Sequence, residues 1–388
     1  MYNFEYYNPT RILFGKDKLA GIDQLIPAQA KVLITYGRGS AKKSGLIDRI
    51  RTILGSRTVL EFGGIEPNPR YETLMKAVEV VHRESIGFML AVGGGSVLDG
   101  TKFIALAAGY KGDARDLLFY GFRPIPFEMV PSTVPFGTVL TLPATGSEMN
   151  SGAVVSYEHG KYPLKSELTF PRFSVLDPTL SFTLPAIQVA NGVVDAFVHT
   201  TEQYLTFPVD ARIQDRMAEG ILKTLIEIGA VNIAEPGNYD ARANLYWSAT
   251  LALNGLIGTG VPQDWATHMM GHELTALYGI DHAQTLAIIL PALLEVRRDK
   301  KRAKLIQYAE NVWQIGDGSE AEKIDRAIEN TRSLFESLGI KTRLSQYGIA
   351  ADQIDVIVGK LETHGLTALS ETGDQTIELS RLILEKAW

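Results

Sequence analysis

The sequence predicts an α/β half built as a doubly wound parallel sheet, followed by an all-α half that resembles nothing in the first. Three observations carry this expectation. A length of 388 residues leaves room for two or three domains of about 150 residues each. Apolar runs of strand type alternate with helical spacing as far as Asp177-Pro178, and beyond Pro185 the strand-type runs stop. Residues 1–178 are therefore expected to form the α/β dinucleotide-binding domain, and residues 179–388 the helical domain.

Taken in order, KVLITYG (31–37), RTVLEFG (57–63) and GFMLAVGGG (87–95) read as strands, and residues 46–54 and 71–84 between them carry apolar side chains at helical spacing. That is a βαβαβ unit. It places helices on both faces of a parallel sheet and ligands beyond the carboxyl ends of the strands. Shorter apolar runs follow at 138–142, 153–156 and 173–176. After Pro185, residues 188–205, 210–228, 240–256 and 265–278 have helical spacing, and helices continue to the C-terminus. Asp240 ahead of ARANLYWSATLALNGL and the polar loop 316–319 ahead of EAEKIDRAIENTRSLFESLG supply start signals. No repeat or low-complexity linker separates the halves, so they are expected to abut along a cleft.

Composition narrows the chemistry. Hydrophobic residues at 45% and charged residues at 21% describe a folded chain. Lys and Arg total 38 against 44 Asp and Glu, a net charge of −6 with no basic block, which argues against a nucleic-acid partner. Cysteine is absent, so disulfides, thiolate nucleophiles, iron–sulfur clusters and cysteine zinc sites are excluded, and a metal must be held by oxygen and nitrogen. The longest apolar stretch, 285–294, is interrupted by Pro291 and falls short of the roughly 20 residues a membrane helix needs. No membrane partner is expected. The start, MYNFEYYNPTRILFG, lacks a basic region followed by an apolar one, which predicts no secretory signal and a cytoplasmic location.

Gly93-Gly94-Gly95-Ser96 follows a strand and opens the helical stretch 97–108. Glycines without Cβ let backbone amides approach a pyrophosphate at a helix N-terminus, although a tight strand-to-helix turn explains the same residues equally well. The motif is neither GxGxxG nor a Walker A loop. The first βα turn, Gly37-Arg38-Gly39-Ser40, precedes Lys42 and Lys43. In doubly wound sheets this turn lies near the adenosine ribose, where basic side chains accommodate a 2′-phosphate, so NADP is favoured over NAD; the alternative is a solvated basic loop. Thr138, Thr141, Thr145 and Ser147 form a third, hydroxyl-rich turn that signifies little alone.

Five of the seven histidines fall in the helical half, and four of these, His199, His268, His272 and His282, lie near apolar, buried-looking sequence. Asp195 and His199 are four apart, as are His268 and His272, so each pair shares a helix face. Each histidine taken singly is better read as a core or surface residue. Together with Asp195, whose apolar surroundings make an uncompensated carboxylate costly, they suggest a divalent cation gripped by two helices. One carboxylate with imidazoles suits Fe(II), Zn(II) or a similar ion. A nucleotide-binding sheet beside such a site suggests hydride transfer where the two domains meet, with the ion polarising a carbonyl.

GGGSVLDGTK (93–102), TLPATGSE (141–148) and the set Asp195, His199, His268 and His282 together resemble the iron-containing (group III) alcohol dehydrogenases, and the likeness runs over nearly the whole chain. The resemblance implies a homodimeric, NADP(H)-dependent and metal-dependent aldehyde reductase or alcohol dehydrogenase acting on short- and medium-chain aldehydes and primary alcohols. It implies Asp195, His199, His268 and His282 as ligands of one divalent metal, Fe(II) or Zn(II), with His272 lining the substrate side as a catalytic proton relay. It places Gly37, Gly39 and Ser40 at the adenosine phosphate, Asn68 near the ribose, and Gly94, Gly95 and Ser96 at the pyrophosphate. Asp99, counted with His272 as a catalytic candidate, Thr138, Thr141 and Lys161 complete the site around ribose and nicotinamide, with Lys165 as a substitute for Lys161. Arg38 stands where a glycine is expected, and residues 110–128 have no clear counterpart. An NAD-dependent alcohol or polyol dehydrogenase of the same family is the alternative. A lyase like dehydroquinate synthase ranks below both, because residues 265–282 lack the Arg that a phosphorylated, carboxylated substrate requires.

Overall fold

In the computed structural model, residues 1–121, 123–158 and 160–388 are described. Two compact units emerge: Tyr7–Leu184, and Pro185–Trp388 together with Met1–Tyr6. The N-terminal strap joins the helical unit through Tyr2 N, which donates to Gly260 O at 2.8 Å.

The first unit contains strands β1 (Arg11–Phe14), β2 (Val32–Tyr36), β3 (Val59–Phe62), β4 (Phe88–Gly93), β5 (Phe136–Leu140), β6 (Gly152–Tyr157), β7 (Gly160–Lys165) and β8 (Phe173–Leu176). Its helices are α1 (Ser40–Lys43), α2 (Leu46–Leu54), α3 (Tyr71–Glu84) and α4 (Gly95–Gly109). Among the described residues, six strands form one sheet in the order β1-β8-β5-β4-β2-β3, every pair parallel. Parallel strands covered on both faces need continuous apolar runs, which is why β2 and β4 are buried at every position. One face packs Ile34, Leu90 and Val175 against Leu46, Ile47, Ile50 and Leu54 of α2. The chain leaves β2 toward β3 on one side, returns to β4, and continues to β5 on the other. Connections diverge between β2 and β4, and the turns that follow these two strands lie side by side at the switch point.

Two elements lie outside the alternating pattern. RILF of β1 is a four-residue edge strand, partly exposed, that borrows its order from β8. β6 and β7 form an antiparallel hairpin outside the sheet, pairing Gly152 with Lys165 through Tyr157 with Gly160.

Packing against α4 is tight at its C-terminal end. A Cβ on Gly109 would sit 1.6 Å from the carbonyl oxygen of Ser132, a contact backbone cannot relieve by rotating a side chain. Gly109→Ala is expected to cost about 1–3 kcal/mol, as overpacking does. A lower denaturant midpoint at unchanged m-value checks it.

The second unit contains α5 (Ala186–Tyr204), α6 (Arg212–Ala234), α7 (Tyr239–Leu253), α8 (Ala266–Tyr278), α9 (His282–Val296), α10 (Arg302–Asn311), α11 (Glu320–Ser337), α12 (Gln353–Thr363) and α13 (Ile377–Ala387). α5 is buried on all faces from Val189 to Tyr204, so its polar residues are enclosed by protein. α9 runs straight through Pro291, where the sequence shows an interruption. Proline removes one helical hydrogen bond, but α9 is packed by α5, α8, α11 and α13, and that burial holds the helix together.

Candidate metal centre and nucleotide site

Asp195 and His199 occupy successive turns of α5, and His268 and His272 do the same on α8; His282 is the first residue of α9. Side-chain atoms of Asp195, His268 and His282 lie within 4.8 Å of one another, the metal-holding group found among the described residues. His282 Nε2 is 3.7 Å from Asp195 Oδ1. His199 stands beside this trio. Its ring stacks on His268 with centroids 4.6 Å apart, and its Nδ1 is 3.9 Å from Asp195 Oδ1, buried without a hydrogen-bond partner. Burial lowers the His199 pKa to about 4, so the ring is neutral at pH 7 and offers a lone pair. The His272 ring lies 5.2 Å from that of His282 and 6.3 Å from that of His268. Trp265 stands 5.4 Å from the His268 ring and forms an apolar wall.

A buried carboxylate among imidazoles, one of which keeps an idle buried nitrogen, is the donor set a divalent first-row cation takes up. The residues fit such an ion.

Two partners escaped sequence reading. Glu202 lies one turn beyond His199, and its Oε1 accepts from His268 N at 3.2 Å while Oε2 pairs with His268 Nδ1. Burial, and then the charge of Asp264, push the Glu202 pKa well above the usual carboxylate range. The spacing 195, 199, 202 is the i, i+4, i+7 of one helix face, a signal present in the sequence and passed over. Lys301, buried, is the other: its Nζ is 2.8 Å from Asp264 Oδ2, donates to Leu205 O at 2.7 Å, and lies 3.1 Å from Glu371.

In the α/β unit, the glycine turns are dictated by crowding. A Cβ would meet Val97 at 2.6 Å from Gly93, Leu142 at 3.1 Å from Gly94, and Thr145 at 2.6 Å from Gly95. Gly94 caps α4, and Ser96 Oγ in its first turn accepts from Asn68 N at 3.2 Å, with Asn68 in the left-handed region at φ 55°. Gly37 follows β2, and Gly39, at φ 113°, caps the four-residue α1 that Ser40 opens. The basic turn is organised by Glu61 of β3, which accepts from Lys42 Nζ and Arg51 NH1, each at 2.8 Å, and from Tyr36 OH at 3.1 Å. Its hydrogen bond with Lys42 lowers the Glu61 pKa despite partial burial, so Glu61 stays ionised and its charge is matched by Lys42 and Arg51.

Asp99 accepts from Ser147 Oγ at 2.6 Å and from Val154 N at 3.0 Å, which ties α4 to the β6 hairpin. Burial raises its pKa, while the charges of Lys102 and Lys161 act in the opposite direction, so Lys161 belongs to this neighbourhood. Lys165 is exposed. Thr141 N donates to Gly93 O at 3.0 Å and keeps the third turn against the glycine loop. Thr138 is fully buried and donates to Ser174 Oγ at 2.7 Å.

Comparison with known proteins agrees with this arrangement. Residues 9–178 match the family model "Iron-containing alcohol dehydrogenase", and residues 189–368 match "Fe-containing alcohol dehydrogenase family, C-terminal". The chain is 59% identical over 391 residues, covering 100% of both chains, to the NADPH-dependent aldehyde reductase YqhD of Escherichia coli. It is 39% identical to NADP-dependent alcohol dehydrogenase 3 of Entamoeba histolytica, covering 93% of this chain and 94% of that one. The crystal structure of E. coli YqhD superposes with a TM-score of 0.96 at 58% identity, covering 100% of this chain and 99% of that chain. The chain belongs to the iron-containing alcohol dehydrogenase family.

Proposed function

We propose that this protein is an NADPH-dependent, metal-dependent reductase of short- and medium-chain aldehydes, reversible as an alcohol dehydrogenase on primary alcohols. The observation that carries the reading is the convergence of Asp195, His268 and His282 within 4.8 Å, with His199 and His272 alongside, in a chain of this family. Asp195, His199, His268 and His282 are the residues that would hold one divalent cation, Fe(II) or Zn(II). Such an ion supplies Lewis acidity toward a carbonyl oxygen.

The chain's own groups do the rest. NADPH, when bound, would supply the hydride for the carbonyl carbon, and with one proton delivered to the oxygen the products would be the alcohol and NADP⁺. His272, close to the cluster but outside the trio, is the group assigned to carry that proton. Gly94, Gly95 and Ser96 bring backbone amides to the pyrophosphate at the N-terminus of α4. Gly37, Gly39 and Ser40, beside Arg38 and Lys42, receive the 2′-phosphate, and Asn68 and Thr141 border the ribose and nicotinamide with Lys161. Asp99 holds the hairpin that carries Lys161. The proposal extends to a homodimer in the cytoplasm, which size-exclusion chromatography with light scattering and cell fractionation test. Metal analysis of protein purified without air, alongside NADPH and NADH oxidation with butanal, tests the core of it. Full NADPH oxidation by metal-free protein overturns it.

Gly37→Asp is expected to reverse the cofactor preference. A Cβ there would meet Ile65 O at 3.4 Å and Val97 Cγ2 at 3.6 Å, ordinary contacts, so the backbone accepts a β-carbon and the expected effect is that of the added charge. A carboxylate beside a 2′-phosphate raises the KM for NADPH at least about tenfold, the equivalent of ~1.4 kcal/mol, and leaves that for NADH unchanged or lower. Steady-state kinetics with both cofactors read it directly.

A further inference from the structure

We propose that Glu202 is a positioning residue for the metal centre, holding His268 by main chain and ring at once so that a single ring nitrogen faces the cluster; this rests on the metal-site reading above. A histidine side chain has two torsions and two tautomers. Glu202 takes away both freedoms. Its Oε1 accepts from His268 N at 3.2 Å, and its Oε2 meets Nδ1 of the same residue, so one carboxylate fixes the start of α8 and the plane of the ring together. With Nδ1 turned to Glu202, Nε2 is the ring nitrogen that serves Asp195 and His282. A cation on the other nitrogen would keep the ring proton at Nδ1, where it donates to Oε2.

Glu202 is itself anchored. Its carbonyl oxygen accepts from Asp264 N at 2.8 Å, and Asp264 Oδ1 accepts from Ala266 N, the first residue of α8, at 2.8 Å. The carboxylate therefore belongs to a rigid joint between the end of α5 and the start of α8, which suits it to set distances and not to shuttle protons.

A glutamine isostere separates this role from bulk packing. His268 presents two N–H donors to Glu202, and a carboxamide has one acceptor oxygen and one NH2. If the NH2 faces the ring, the proton must move to Nε2 and block the nitrogen a cation needs. If it faces the main chain, two donors collide. Either way the ring loses its setting.

The experiment titrates Zn(II) against a chromophoric chelator into metal-free wild type, Glu202→Gln and Glu202→Asp, with the melting temperature of each metal-free protein. Zn(II) affinity is expected to fall about 10–100-fold in Glu202→Gln, the usual cost of losing an outer-shell partner. The melting temperature should hold, and the KM for NADPH should stay fixed while kcat falls. Glu202→Asp, a methylene shorter, reaches one donor only and should show a smaller loss; it decides the matter if Glu202→Gln does not fold. Wild-type affinity in a folded variant overturns the role of Glu202. Absence of Zn(II) binding by the wild-type chain overturns the metal-site reading itself.

Discussion

Asp195→Ala is expected to remove bound metal and turnover together, with kcat falling by at least ~10³, a loss of about 4 kcal/mol in transition-state stabilisation. Asp195 is the carboxylate of the trio, 98% buried, with Oδ1 3.7 Å from His282 Nε2 and 3.9 Å from His199 Nδ1. Without it, neutral imidazoles alone would face a doubly charged ion in a low-dielectric pocket. His199 offers no compensation, because burial keeps its pKa at about 4 and the ring remains a neutral donor at pH 7. Added Zn(II) should raise the melting temperature of the wild type alone, as mass action on the folded state requires. Elemental analysis and NADPH oxidation with butanal complete the test. A metal-replete, active Asp195→Ala protein would sink the mechanism.

What the sequence reveals and hides follows from the range of the forces involved. The turn at 93–96 is legible because crowding by Val97, Leu142 and Thr145 forces glycine, and glycine runs stand out in any string. β2 and β4 are legible because a strand buried on both faces must be apolar throughout. The pairs Asp195 with His199 and His268 with His272 are legible because helical spacing fixes which side chains share a face, whereas the trio of Asp195, His268 and His282 comes from three helices, α5, α8 and α9, brought together by packing. β1 is hidden, since its order comes from β8, about 160 residues away in a pairing of Arg11 with Phe173. Pro291 sits inside α9, where tertiary burial overrides a local helix breaker. Thr138 lies buried in β5 and its hydroxyl donates to Ser174 Oγ, a partner that packing and not spacing supplies. Glu61 and Lys301 are hidden because their partners are set by how elements pack, which no spacing along the chain encodes; Glu202 shares the helix face of Asp195 and His199 by spacing, but its partner His268 on α8 is set by packing.

Lys301→Met is expected to destabilise the helical unit by about 3–5 kcal/mol, because removing one partner of a buried ion pair leaves the other uncompensated. Here two carboxylates are stranded, Asp264 at 2.8 Å and Glu371 at 3.1 Å, and Leu205 O loses a donor at 2.7 Å. Leu205 ends α5 and Asp264 Oδ1 accepts from Ala266 N, the first residue of α8, so the lysine ties together the helices that bear Asp195 and His268. The pH dependence carries a definite sign. Burial already raises the Glu371 pKa, and losing the ammonium raises it further, so the folded variant binds protons that the unfolded chain does not. Stability of the variant relative to wild type should therefore improve as pH falls toward about 4 and worsen as it rises to 8. Adding Glu371→Gln to Lys301→Met removes one stranded charge and should recover part of the loss. Thermal melts of the three proteins from pH 5 to 8 give the answer, and a Lys301→Met melting temperature within a degree of wild type at pH 8 would show that the cluster does not hold these helices.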